Sequence, residues 1–131
     1  MIAVLPSEGS EFIDFTGKVR RDGKSPWSNP AFKEGKIVNY YDNKKLVGSL
    51  VYEIYSDSMK PKFKENRWTG PLFHRKGKDI ILMHTVYVRS KYRGKGIMSK
   101  LLSLMMEEGL PVWASFYNKE LGQYFEKRFA P

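Results

Sequence analysis

The chain has 131 residues, and 23 Lys and Arg against 14 Asp and Glu give it a formal net charge of +9. That length fits a single domain, residues 1–131, with a core of its own, and a composition 41% apolar and 15% aromatic excludes a disordered chain. The absence of cysteine excludes a disulfide framework, a thiol nucleophile and any thiolate metal site.

Two histidines, His74 and His84, are thin provision for zinc, and no metal is expected. The longest aliphatic run, Ile80, Ile81, Leu82 and Met83, is too short to cross a bilayer. The opening residues, MIAVLP, lack the basic flank and apolar stretch of a signal peptide. The expectation is a soluble, cytoplasmic protein with no membrane partner. The surplus charge points to an anionic partner of some kind.

In chain order, residues 10–20 read as a first helix with Phe12, Ile13 and Phe15 as its apolar positions and Gly17 as a weak point. Residues 22–30, DGKSPWSNP, are turn-rich. Residues 36–41 and 46–55 read as two strands joined by a tight hairpin at Asp42, Asn43, Lys44 and Lys45. Residues 56–78 read as a long loop or insertion, unusual in so small a domain and of a class more often functional or mobile. Between residues 60 and 78 this loop sets Lys60, Lys62, Lys64, Arg67, Arg75, Lys76 and Lys78 against Glu65, with Phe63, Trp68 and Phe73 interleaved. Cations for phosphates and rings for bases suit a nucleic-acid contact; a solvated loop whose rings pack back on the body has the same composition.

Residues 79–88 are apolar on both faces, with Ile80, Leu82, Val86 and Val88 on one and Ile81, Met83 and Tyr87 on the other, the pattern of a central covered strand. His84 alternates there with Leu82 and Val86. Met98, Leu101, Leu102 and Met105 recur at helical spacing, and Gly109 followed by Pro111 ends that helix. Residues 112–117 read as another strand. Asn118 is a fitting N-cap for a last helix carrying Leu121, Tyr124, Phe125 and Arg128 on one face. The order is a mixed sheet covered by helices, with one βαβ crossover over residues 79–117.

The chemistry is concentrated in residues 86–102, VYVRSKYRGKGIMSKLL. A buried strand runs into a basic loop with Gly94 and Gly96, which opens an amphipathic helix. Helix N-termini leave amide N–H groups unpaired and carry a partial positive charge, so they bind anions, and glycines let a phosphate approach the backbone. The spacing is neither a Walker loop nor the three-glycine dinucleotide fingerprint.

Two motifs in this order resemble the GNAT N-acetyltransferase family. Its cofactor motif, Q/R-x-x-G-x-G/A after a strand, reads here as Val88 and then Arg93, Gly94, Lys95, Gly96, Ile97 and Met98. Its later pattern, an Asn followed by Y-E-K-x-G-F, reads as Asn118 and then Phe125, Glu126, Lys127, Arg128 and Phe129. The resemblance covers residues 79–129 well and the remainder in outline. It implies an α/β fold (α+β in some schemes): a mixed, mostly antiparallel central sheet with a splayed parallel strand pair and helices on both faces. It further implies acetyl-CoA as cosubstrate, an amine acceptor that attacks directly, and no enzyme nucleophile. The pyrophosphate would rest on the amides of Gly94, Lys95, Gly96, Met98 and Ser99 with Arg93 adding charge. The pantetheine would follow Val86 and Val88, and the cofactor side would include Asn118 and Phe125. The Val86 amide would act as oxyanion donor. His84 stands where some members carry the general base, and imidazole titrates near neutral pH.

The sequence departs from the family pattern in three places. Met98 replaces a Gly or Ala. Phe125 replaces the tyrosine that protonates the leaving thiolate, which leaves Tyr124 beside it, or solvent, as the substitute acid. The sequence ends without the family's two closing strands, which leaves the acceptor side open, completed by a partner in a homodimer, or closed by residues 56–78. Residues 60–78 favour an acidic macromolecule, nucleic acid or protein, as bearer of the amine, although Glu53, Asp57 and Glu65 could form a local acidic pocket. The competing readings are a catalytically weak or inactive CoA-binding module of the same fold that binds nucleic acid or protein, and a basic nucleic-acid-binding domain without CoA.

Overall fold

The computed structural model describes residues 1–21, 33–56, 67–69 and 77–115, together with Gln123 and Lys127, which are helical. Strands β1 (Ile2–Pro6), β2 (Phe12–Ile13), β3 (Val19–Arg20), β4 (Glu34–Asp42), β5 (Lys45–Tyr55), β6 (Arg67–Thr69), β7 (Ile80–Val88) and β8 (Val112–Ser115) accompany one described α-helix, α1 (Ile97–Met106). Six strands form the main sheet in the order β1-β4-β5-β7-β8-β6. Every pairing in it is antiparallel except β7 with β8. This is the mixed, mostly antiparallel sheet with a parallel pair that the resemblance implies.

The β4–β5 hairpin forms as its sequence predicts. Asn43 and Lys44 take φ of 47° and 69°, the left-handed pair that lets a two-residue turn follow the strand twist. The α1 face of the sheet holds the main core: Leu50, Tyr52, Ile81 and Met83 meet Ile97, Leu101, Leu102 and Met105. Burying each such side chain stabilises by about 1.5–3 kcal/mol. Gly48 sets how closely the first turn of α1 approaches, because a Cβ there would stand 3.2 Å from Ile97 Cγ2. Beyond the helix, Glu108 accepts from Lys36 Nζ at 2.8 Å and from Tyr52 Oη at 3.1 Å. That carboxylate ties the end of α1 to β4 and β5 and, through the bond to Lys36, holds the ammonium above the usual lysine range.

Residues 10–20 are not a helix. They contain β2 and β3, which pair as a small second sheet. The local reason is Asp14, whose Oδ1 accepts from Thr16 N at 2.8 Å, Thr16 Oγ1 at 2.5 Å and Lys18 N at 3.1 Å. Such side-chain bonding offers the backbone a turn in place of a helix. The hairpin lies on the sheet face away from α1, where Phe12 packs with Ile37 and Val51. A buried polar chain fastens it: Ile13 N donates to Ser49 Oγ at 2.9 Å, Ser49 Oγ to Asn39 Oδ1 at 2.6 Å, and Asn39 Nδ2 to the Glu11 carbonyl at 2.7 Å. Among the described residues, this face is therefore covered by a β-hairpin where a helix is expected.

Residues 56–78 are not all loop either. Within them β6 pairs with β8 and occupies the edge of the sheet; most of the remaining segment lies outside the described residues. No helix among the described residues is long and apolar enough to cross a membrane.

Candidate active site

The parallel pairing of β7 and β8 is short. It runs Ile81–Val112, Leu82–Trp113 and Met83–Ala114, whereas β7 continues to Val88. Past Met83, the β8-facing edge of β7 has no strand partner among the described residues. The ladder with β5 decides which groups point there. Arg89 N donates to the Val47 carbonyl at 2.9 Å, and register places Gly48 opposite Val88 and Leu50 opposite Val86. Hydrogen-bonded and non-bonded pairs alternate in an antiparallel ladder. The N–H and C=O of Val86 and Val88 therefore turn away from β5 into the opening. The Val88 carbonyl is already engaged, accepting from Arg93 Nε at 2.8 Å.

That bond gives Arg93 a structural partner through Nε. Its guanidinium also lies 5.4 Å from the centre of the Tyr87 ring, so it pins the loop to the strand. A short 3-10 turn, Ser90–Tyr92, follows the strand. Tyr92 donates to Asp42 Oδ2 at 3.0 Å, which anchors the loop to the β4–β5 turn; this bond, aided by desolvation, pushes the phenol above its usual range. Lys95 Nζ sits 5.5 Å from the centre of the Tyr92 ring.

Gly94 and Gly96 both adopt φ of 78°, a left-handed conformation that other residues reach at a cost. Gly96 is the N-cap of α1, with no side-chain capping bond and no acidic residue in the first turn. A Cβ built on either glycine meets nothing within 4 Å. The amides at the start of α1 thus border open space, flanked by Arg93 and Lys95, as a diphosphate would require. Met98 is half-buried and packs against the main core, so its side chain does not occupy that space. Ser99 lies on the same first turn. Ser99 with Ile2, Lys100, Ser103 and Leu104 also lines an open groove of about 360 Å³ between β1 and the outer side of α1.

The other functional element is a bulge. On β5, Val51 pairs with Thr85 and Tyr52 with Met83, leaving His84 as the extra residue on β7. A bulge re-aims side chains and reverses the alternation beyond it. Leu82, paired with Glu53, and Thr85, paired with Val51, both fall on the face away from α1, whereas Ile81, Met83, Val86 and Val88 pack on the α1 face. The uniform alternation read from residues 80–88 is therefore wrong past Met83: Val86 does not share a face with Leu82. His84 Nε2 contacts Glu53 Oε1. Their side chains are 8% and 1% exposed.

The structure thus brings together His84, Val86, Val88, Arg93, Gly94, Lys95, Gly96, Met98 and Ser99 along one strand, loop and helix start. Tyr124, Asn118 and Phe125 lie outside the described residues, as do Asp57 and Glu65 of the expected acidic pocket. Glu53 contacts His84. The signal for it was an acid in the middle of the apolar strand LVGSLVYEIY, but only the bulge opposite brings it to the histidine.

Among solved structures, this chain is similar to the Bacillus subtilis N-acetyltransferase YlbP in complex with coenzyme A, with 14% identity, a TM-score of 0.53, and 72% of this chain and 54% of that one covered. The chain thus spans about half the length of that protein. It is also similar to an aminoglycoside acetyltransferase, meta-AAC0020, from an uncultured soil metagenomic sample, in complex with trehalose, with 13% identity, a TM-score of 0.55, and coverage of 100% and 87%. The same enzyme in complex with sisomicin gives 14% identity and a TM-score of 0.54. These identities speak for the fold alone. No curated protein matches the sequence. The model of the acetyltransferase (GNAT) family matches residues 8–121, most of the chain and all of the site just described, and the chain belongs to that family.

Proposed function

We propose that the chain is an acetyl-CoA-dependent N-acetyltransferase acting by direct attack of an amine. The observation that carries this reading is the edge of β7 past Met83: Val86 and Val88 present their backbone polar groups to an opening that leads to the uncapped start of α1. The cosubstrate supplies an activated acetyl thioester. The amides of Gly94, Lys95, Gly96, Met98 and Ser99 bind its diphosphate, with Lys95 and Arg93 adding charge. The strand edge at Val88 aligns the pantetheine, and Arg93 keeps that edge and the loop in fixed relation through the Val88 carbonyl. The Val86 N–H faces the acetyl carbonyl oxygen as negative charge develops there. His84, on the opposite face, removes the proton from the amine.

Asn118 and Phe125 complete the cofactor side in this reading, and Tyr124 or solvent protonates the leaving thiolate. The amine is carried by an acidic macromolecule, nucleic acid or protein, on the strength of the +9 charge and the basic stretch 60–78. Phe125 in place of the family's tyrosine favours one other reading, a CoA-binding module of the same fold with little turnover. Thiol release from acetyl-CoA over a panel of amines, including amine-bearing nucleic acids and acidic proteins, separates the two. Transferase activity predicts release that depends on acceptor and falls about 10²–10⁴-fold in His84→Ala. Tight CoA binding without acceptor-dependent release assigns the binding module instead.

A further inference from the structure

Glu53 stands in the middle of β5 on the face turned from α1, opposite Leu82 in the ladder with β7. Its side chain is 1% exposed. Carboxylates are buried this far only when partners hold their charge, and an aliphatic residue at this strand position would pack as its neighbours do. Among the described residues, two side chains meet the carboxylate at Oε1: His84 through Nε2, and Tyr55, whose hydroxyl donates at 3.4 Å. The first contact exists because the extra residue of the bulge is the histidine.

A neutral imidazole has one donor and one acceptor nitrogen, and the partner of one decides the role of the other. We propose that Glu53 is a positioning residue: by accepting the Nε2–H of His84 it fixes the tautomer with its lone pair on Nδ1, making Nδ1 the atom that takes the proton from the acceptor amine. This rests on the reading of His84 as base. In the step, an N–H bond of the amine breaks and an Nδ1–H bond forms. The His84–Glu53 pair passes from a net charge of −1 to zero, and the proton then leaves to solvent. The Nε2–H···Oε1 bond is charge-assisted from the carboxylate side throughout and gains a charged donor as the imidazolium forms, which strengthens it. Glu53 therefore favours the protonated ring without touching the amine.

The tautomer can be read without substrate, which separates failure of this inference from failure of the proposed activity. Long-range ¹⁵N–¹H correlation on histidine-labelled protein, at a pH where the ring is neutral, reports which nitrogen carries hydrogen. Only His74 and His84 contribute, and His84→Gln assigns the signals. The expected result is a His84 ring protonated at Nε2 in wild type and in Glu53→Gln, whose amide oxygen accepts the same bond, and mixed tautomers in Glu53→Leu. In turnover, Glu53→Leu should lose about 10–100-fold in kcat, the range seen when a metal-ligating histidine loses its orienting partner, with KM for acetyl-CoA within about twofold. Glu53→Gln should recover most of that loss. A wild-type ring protonated at Nδ1 overturns the proposal even if Glu53→Leu does not fold, and so does an unchanged tautomer in a folded Glu53→Leu. An Nε2–H ring together with undiminished turnover in His84→Ala overturns the base reading and, with it, the role of Nδ1.

Discussion

The two faces of β7 are equipped by different means. On the α1 side, the proposed cofactor site is mostly backbone: the outward groups of Val86 and Val88, two glycines at φ of 78°, and the first amides of α1. It is assembled from one continuous stretch of chain. On the other side, the proposed acceptor chemistry uses side chains from separate strands, His84 from β7 and Glu53 from β5, on the sheet face that also carries a hairpin fastened through Ser49 and Asn39. A backbone site tolerates side-chain exchange except where a Cβ would intrude or a charge repel. A side-chain site fails with a single truncation and depends on the strand register that aligns its members.

Substitutions at four positions test this contrast. The largest effect belongs to Gly96→Glu, which puts a carboxylate at the start of α1. Calorimetry should show acetyl-CoA affinity falling more than about 100-fold, or about 2.7 kcal/mol. Gly96→Ala, which carries the same backbone strain of about 1–2 kcal/mol without the charge, should retain most of the affinity. Equal losses in the two variants would mean that strain, not anion binding, governs the loop. Arg93→Ala removes the bond to the Val88 carbonyl and the contact with Tyr87. It should weaken acetyl-CoA binding about 10–100-fold, since a charge-assisted bond contributes about 1.5–3 kcal/mol.

Ser49→Ala acts on the other face. It leaves Ile13 N–H and Asn39 Oδ1 short of a partner in a buried setting, which costs about 1–3 kcal/mol and should appear in the denaturant midpoint. Acetyl-CoA affinity should stay within about twofold; a matching loss of cofactor binding would break the proposed independence of the two faces. Asp14→Asn should have the smallest effect, and one that depends on pH. Burial raises the Asp14 pKa, but the bonds from Thr16 and Lys18 and the charge of Arg20 outweigh it, so the folded value lies below the ordinary 3.8. A carboxylate depressed on folding stabilises above its unfolded pKa, and that contribution is lost as pH falls through the folded one. The stability gap between wild type and Asp14→Asn should be full near neutral pH and shrink below about pH 4.

How much was legible in the sequence follows the same division. The β4–β5 hairpin, β7, α1 and the glycine loop each rest on local signals: a turn pair, a double-faced apolar run, a helical period, a basic glycine-bearing turn. The loop's resemblance to a family motif added the ligand. Residues 10–20 misled because Phe12, Ile13 and Phe15 fit a helix loosely, whereas the bonding of Asp14 to Thr16 and Lys18 fixes a turn. The bulge at His84 was invisible because it is a property of the β5–β7 pair. It moved Val86 to the α1 face and gave His84 its carboxylate. Arg93 is expected to add charge beside the diphosphate, and its bond to the Val88 carbonyl adds a structural duty that no motif spacing encodes.

The central claim is that acetyl-CoA lies along β7 and the start of α1. Titrating ¹⁵N-labelled protein with acetyl-CoA and following its backbone amides tests that most directly. With acetyl-CoA bound there, Val86, Val88, Gly94, Lys95, Gly96, Met98 and Ser99 should move together with one saturation curve, while Phe12, Ile13, Val19 and Arg20 of the hairpin stay in place. Shifts confined to the groove at Ile2, Lys100 and Ser103, or none at all, would contradict it.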